Sequence, residues 1–172
     1  GKTLGIWGYG KIGKRIARYA QAFEMNVLVW GSETSRQPAV LDGYLAAVDK
    51  TSFFVECDII SLNLRLNDQT QGCVTAADLQ LMKTDALLVN ISRAELIQPG
   101  ALYQGLLQGR PGYAAIDVFE SEPVNLLTEL LVSLPNVLAT PHIGFVEKSG
   151  YELYFEAAFQ NLVSHFGFQH NR

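Results

Sequence analysis

The sequence has 172 residues, 48% of them hydrophobic and 17% charged, with a formal net charge of −4. That length suits one domain around a single core, and the composition is far from that of a disordered chain. The mild acidity disfavours nucleic acid as a partner, since its binders carry basic patches or stripes.

In chain order, Leu4-Gly5-Ile6-Trp7 is a short apolar run that reads as a buried strand. It ends in Gly8-Tyr9-Gly10, and helix-spaced apolar residues follow at Ile12, Ile16, Tyr19, Ala20 and Phe23. Val27-Leu28-Val29-Trp30 is a second strand, stopped by Gly31 and Ser32. The pattern then predicts a helix over 37–41, a short strand over 44–47, a helical turn before Asp58 and a strand over 59–64. Thr75-Ala76-Ala77-Asp78 has the form of a capping box with Asp in the acidic place, opening a helix through Met82. A strand over 86–89, a helix over 98–108 closed by Gly109, a strand over 113–118 and a last strand over 137–139 complete the alternation. A long helix over 147–168 carries Tyr151, Tyr154, Phe155, Phe159, Leu162, Val163 and Phe166, part of whose apolar surface suits a partner.

Strands separated by helices are not hairpin neighbours. The order therefore predicts an α/β fold, a doubly wound parallel sheet with right-handed crossovers and helices on both faces. The whole of 1–172 is read as one domain, with no repeat or internal linker. It opens at Gly1 and reaches a strand at once, so it reads as a piece of a longer protein. Two cysteines, Cys57 and Cys73, are too few for a disulfide framework and lack zinc-site spacing, so no metal is expected. No apolar run approaches the ~20 residues that span a bilayer, and the expectation is a cytoplasmic protein with no membrane partner.

Gly8-Tyr9-Gly10-Lys11-Ile12-Gly13 is a G-x-G-x-x-G directly after a strand and at the start of a helix. The first glycine permits the tight turn, the second lets a pyrophosphate approach the backbone, and the third lets helix and strand pack closely. A Rossmann dinucleotide-binding fold is the expectation. The acidic residue usual at the end of the second strand is missing, its place taken by Gly31 and followed by Ser32 and Glu33. Ser32 and Arg36 suit a 2′-phosphate and Glu33 repels one; the balance is read as NAD, with NADP left open.

Three further segments each follow a predicted strand: Val89-Asn90-Ile91-Ser92-Arg93, Asp117-Val118-Phe119-Glu120-Ser121-Glu122-Pro123 and Ala139-Thr140-Pro141-His142-Ile143-Gly144. Singly, Arg93 reads as a surface arginine, Glu122 as a loop acid and His142 as a strand cap. Together they supply a guanidinium to clamp a carboxylate, a histidine to exchange a proton and a carboxylate to orient it.

At these residues the chain resembles the NAD-binding domain of the D-isomer-specific 2-hydroxyacid dehydrogenases, the family of phosphoglycerate, glycerate, formate and D-lactate dehydrogenases. The resemblance implies a substrate-binding role for Arg93, a histidine-partner role for Glu122 and an acid/base role for His142. It also implies that Lys11 and Ile12 meet the pyrophosphate, that Asp117 lies beside the nicotinamide carboxamide, and that Ile91 and Gly144 line the nicotinamide pocket. Glu120 is read as facing solvent. Ala94 replaces the glycine common after the arginine, and Asn63-Leu64-Arg65 replaces a more usual His-x-Pro. The resemblance further implies a small 2-keto or 2-hydroxy acid substrate, a homodimer, and a separate substrate domain that this sequence mostly lacks. The piece is therefore expected to bind cofactor with little or no turnover. A nucleotide-sensing interaction protein like the C-terminal-binding corepressors is the alternative.

Overall fold

The computed structural model describes residues 1–167. Its compact first unit, Gly1–His142, is built on seven parallel strands: β1 (Thr3–Trp7), β2 (Asn26–Trp30), β3 (Leu45–Ala46), β4 (Ile59–Leu62), β5 (Leu87–Asn90), β6 (Tyr113–Ile116) and β7 (Val137–Ala139). They lie in the order β3-β2-β1-β4-β5-β6-β7. The chain winds outward from β1 in one direction and then, from β4, in the other. The reversal leaves a crevice at the carboxyl ends of β1 and β4, where such sheets bind ligands.

The period-two alternation of the strands sorts side chains onto two faces. Leu4, Ile6, Val27 and Val29 pack on one side with Ala17 and Ala20 of α1 (Lys11–Ala22) and Ala39 of α2 (Glu33–Leu41). Trp7, Leu28, Ile60, Leu62 and Leu88 pack on the other with Phe53 and Phe54 of α3 (Lys50–Glu56), Leu79 of α4 (Ala76–Leu81) and Leu102 and Leu106 of α5 (Ala101–Leu107). Trp7, Phe53 and Phe54 meet edge to face, with ring centroids 5.6–6.1 Å apart. Gly5 makes this possible, because a Cβ there would lie 2.4 Å from the Cys57 sulfur and 2.8 Å from the Phe53 ring.

Local chemistry explains most helix starts. The expected capping box at Thr75 is present: Thr75 Oγ1 accepts from the Asp78 N–H, and Asp78 Oδ2 accepts from the Thr75 N–H at 2.7 Å. A second box, Asp49 with Ser52, opens α3. Several expected boundaries move. The helix expected over 37–41 starts earlier, at Glu33, because Ser32 takes the N-cap place and Glu33 and Gln37 bond one turn apart; Pro38 lies inside it at the loss of one backbone bond. The strand expected over 44–47 shortens to Leu45–Ala46, that over 59–64 ends at Leu62 and that over 113–118 at Ile116. The helix expected over 98–108 starts at Ala101, since Gly100 takes a left-handed conformation with φ of 71°.

The second unit begins at Ile143 and contains α6 (Lys148–Phe166), where Tyr151 stacks on Phe155 with centroids 6.1 Å apart. The expected helix end at Phe168 lies outside the described residues. Among those residues no helix is long and apolar enough to cross a membrane.

Asp58 ties the amino-terminal ends of the central strands together. Its carboxylate accepts from the Thr3 N–H at 2.7 Å and pairs with Lys83 at 3.0 Å and Lys2 at 3.3 Å. The Thr3 bond foremost, then the lysines, hold its pKa down at about 2 against an ordinary 3.8. A carboxylate with a depressed folded-state pKa stabilises above its unfolded pKa and loses that contribution as pH falls through the folded one. The stability difference between the native chain and Asp58→Asn, measured by urea unfolding, should be constant above pH of about 5 and shrink between pH of about 4 and about 2. A difference independent of pH would show that Asp58 does not act through its charge.

Candidate active site

The turn from β1 into α1 is shaped by absent side chains. Gly8 has φ of 97°, a conformation that glycine adopts readily, and a Cβ there would stand 2.6 Å from the Asn63 carbonyl oxygen. At Gly13 a Cβ would fall 2.2 Å from the Gly8 carbonyl oxygen, so α1 approaches β1 closely only without one. Gly10 is different: a Cβ there would meet nothing within 4 Å. Gly10 is the N-cap of α1 and offers no side-chain cap, so the first N–H groups of a twelve-residue helix face open space. A bare backbone, free donors and a positive dipole end fit a pyrophosphate. Lys11 and Ile12 stand exposed in that first turn.

The loop is anchored on both sides. The Gly8 N–H donates to the Trp30 carbonyl at 3.0 Å, and the Asn63 N–H donates to the Trp7 carbonyl at 2.8 Å. Tyr9, which the motif pattern leaves unspecified, is buried, and its hydroxyl donates to Asp42 at 2.9 Å beside Lys14. Burial first, then the Asp42 bond, push the Tyr9 pKa well above its ordinary value. Nothing in the sequence signals this anchor, because Asp42 lies 33 positions away.

At the other half of the carboxyl edge, Asn90, Ile116 and Ala139 stand level across β5, β6 and β7. Arg93 and His142 each follow three residues beyond their strand and Glu122 six beyond its own. Asn90, 1% exposed, braces the first loop: its Nδ2 donates to the Arg93 carbonyl at 2.8 Å and its Oδ1 accepts from the Ser92 N–H at 3.1 Å. Ser92 Oγ donates to the Leu62 carbonyl at 2.8 Å, stitching that loop to β4. The Arg93 side chain itself is exposed. Asp117, directly after β6, is buried and accepts from Thr140 Oγ1 at 2.5 Å, which ties the second loop to the third.

Glu122 and His142 meet. Glu122 Oε2 lies 2.6 Å from His142 Nδ1, while Oε1 accepts from the Phe119 N–H at 3.0 Å. The His142 bond and then the Phe119 bond hold the Glu122 pKa below its ordinary value, with a smaller contribution from Arg93. An ionised carboxylate only accepts, so Nδ1 carries the hydrogen. His142 itself sits at φ of 55°, strained for a residue with a Cβ, in a tight turn where its N–H donates to the Thr140 carbonyl at 3.0 Å. Arg93, Glu122 and His142 line one cavity of about 260 Å³ with Val118, Phe119 and Glu120.

The other expected site residues fall in several places. Ile91 is exposed just past β5, Ser32 is the N-cap of α2, and Glu120 is exposed. Gly144 belongs to the second unit. Asn90, Ser92, Thr140 and Tyr9, which hold these loops, were not singled out from the sequence; their partners are distant in sequence or on the backbone.

Residues 1–144 match the family model described as "D-isomer specific 2-hydroxyacid dehydrogenase, NAD binding domain". The chain is 36% identical over 164 residues to a glyoxylate reductase of Thermococcus litoralis, covering 95% of this chain and 49% of that protein. It is 36% identical over 144 residues to a D-3-phosphoglycerate dehydrogenase of Methanocaldococcus jannaschii, covering 84% of this chain and 27% of that protein. Among solved structures, a phosphoglycerate oxidoreductase from Vibrio cholerae superposes with a TM-score of 0.91 at 56% identity, over 98% of this chain and 54% of that one. A D-lactate dehydrogenase with NAD+ from Lactobacillus jensenii superposes with a TM-score of 0.79 at 26% identity, over 99% and 54%. The chain thus spans about half the length of the glyoxylate reductase it matches. The nucleotide-sensing alternative finds no support among these relatives, which are named as reductases, dehydrogenases or oxidoreductases.

The Glu122–His142 contact has a direct readout. In a carbon-13 NMR titration the Glu122 carboxyl should show a midpoint below the ordinary glutamate value, and His142→Ala should raise it. An unchanged midpoint in the variant would mean that the two side chains do not interact in solution.

Proposed function

Because the chain belongs to the D-isomer specific 2-hydroxyacid dehydrogenase family, of which it carries the NAD-binding domain, we propose that it binds NAD(H) on the Gly8–Gly13 turn. On this reading it also supplies Arg93, Glu122 and His142 to the interconversion of a small D-2-hydroxy acid and its 2-keto acid. The single observation that carries the chemistry is the 2.6 Å Glu122–His142 contact, in one cavity with Arg93 at the carboxyl edge of the sheet.

The cofactor, when bound, accepts or donates the hydride. The work of the chain is to hold and to move a proton. Arg93 presents its guanidinium to the substrate carboxylate, a geometry suited to a bidentate pair, and this places the adjacent carbonyl in the cavity. In the direction of reduction, protonated His142 gives its Nε2 proton to the carbonyl oxygen as the carbon is reduced, and takes it back in oxidation. Glu122 fixes the imidazole through Nδ1 and favours its charged form. Asp117 and Ile91 would border the nicotinamide end of a bound cofactor, Lys11 and Ile12 its pyrophosphate and Ser32 its adenosine ribose.

The relatives named for activity on glyoxylate and hydroxypyruvate support a short, unbranched substrate. Two unpaired cysteines, Cys57 and Cys73, accord with a cytoplasmic setting.

In the full-length protein, His142→Gln should lower kcat by roughly 10²–10⁴ while leaving the Kd for NADH unchanged. An equal loss in both would remove His142 from the acid/base role. The 172-residue chain alone should bind NADH yet reduce glyoxylate or hydroxypyruvate slowly or not at all, since Glu122 and His142 keep 35% and 31% of their side-chain surface in contact with solvent. Turnover by the isolated chain at full enzymatic rates would overturn that expectation.

A further inference from the structure

The cavity that joins Arg93 to His142 carries an uneven charge. Besides Arg93, Glu122 and His142, its lining holds Glu95 and Glu120, set among apolar Val118 and Phe119. Among the described residues Arg93 is the one lysine or arginine in that lining, against three glutamates. Glu122 is already engaged, by the His142 ring and by the Phe119 N–H. Glu95 and Glu120 are exposed, and neither carboxylate takes part in a hydrogen bond or ion pair among the described residues.

The single guanidinium has capacity for one anionic group. Its Nη1 donates to the Ser92 carbonyl at 2.6 Å, and the donors that remain match one carboxylate held by two parallel bonds. A second anionic group on the substrate is then left to the rest of the cavity. A compact space of about 260 Å³ is about 8 Å across, comparable with the ~8 Å over which physiological salt screens a charge. No part of a substrate inside it is out of reach of Glu95 and Glu120. A phosphate ester, with a charge of about −1.5 to −2 at neutral pH, meets two unneutralised carboxylates there. A hydroxyl on the same carbon can donate to them instead.

We propose that Glu95 and Glu120 restrict this site to 2-keto and 2-hydroxy acids with a single anionic group, so that an acid bearing a phosphate as well as its carboxylate is rejected. This selection rests on the reading of Arg93, Glu122 and His142 as the site of interconversion, and chooses among the substrates that reading allows. Relatives of the chain are named for acids of both kinds, glyoxylate and hydroxypyruvate on one side and D-3-phosphoglycerate on the other. Like charge set against the wrong substrate discriminates without adding affinity for the right one. The two glutamates therefore bear on which acid enters, while Glu122 and His142 hold and move the proton.

In the full-length protein with NADH, kcat/KM for hydroxypyruvate and for its 3-phosphate ester measures the choice. The unphosphorylated acid should be favoured by about tenfold or more at low salt, and by less as ionic strength rises. Glu95→Gln and Glu120→Gln should each raise kcat/KM for the phosphate ester by about threefold or more, mostly through a lower KM, and change that for hydroxypyruvate less. Glu95→Lys should raise it further than Glu95→Gln. A phosphate ester reduced as well as hydroxypyruvate, or a preference that neither Gln variant narrows, would overturn the selection and leave the dehydrogenase reading standing. So would Gln variants that unfold cooperatively yet weaken both substrates alike. Reduction of neither acid, nor of glyoxylate, would overturn that reading and this proposal with it.

Discussion

The approach of α1 to β1 sets the conditions for everything at the carboxyl edge. Gly13 permits it, since a Cβ at that position would fall within 2.2 Å of the Gly8 carbonyl oxygen. The helix starts at the carboxyl end of β1, beside the point where the winding of the sheet reverses between β1 and β4. The same turn is held by backbone bonds to Trp30 on one side and Trp7 with Asn63 on the other. A shift in it would therefore displace the ends of three neighbouring strands together. Gly5, lower on β1, extends the same logic to the opposite face by letting the Phe53 ring lie against the sheet.

The loops that carry Arg93, Glu122 and His142 are held by polar bracing. Arg93 is exposed, yet the backbone that carries it is pinned by buried Asn90 and by Ser92 reaching to β4. His142 is held in a strained conformation by a tight turn, by Glu122 through Nδ1, and by a neighbour, Thr140, that bonds to buried Asp117. These bonds join loops after β5, β6 and β7 that are far apart in sequence. Strain concentrated at such a residue accords with a functional role, since folding alone would relax it.

Several features were legible in the sequence because their cause is local. The alternation of apolar runs and helical spacing implied a parallel α/β sheet; Thr75 with Asp78 announced a helix start; the glycine spacing located the tight turn from β1 into α1. Boundaries failed where tertiary contacts intervened. α2 begins at Glu33, a full turn earlier than apolar spacing suggested, where Glu33 and Gln37 bond one turn apart and the proline at 38 is accommodated within the helix. Gly100 delayed α5 through its left-handed backbone.

By itself the sequence determined the fold class, the order of the strands in the chain and the three segments that bear Arg93, Glu122 and His142, since periodicity and glycine spacing act over a few residues. Only the tertiary structure decided that Glu122 and His142 share a hydrogen bond, that Tyr9 is tied to Asp42, and that Arg36 turns back over Trp30. Each of those contacts depends on where separate loops are set down by the winding of one sheet, and that position is a property of the packed whole.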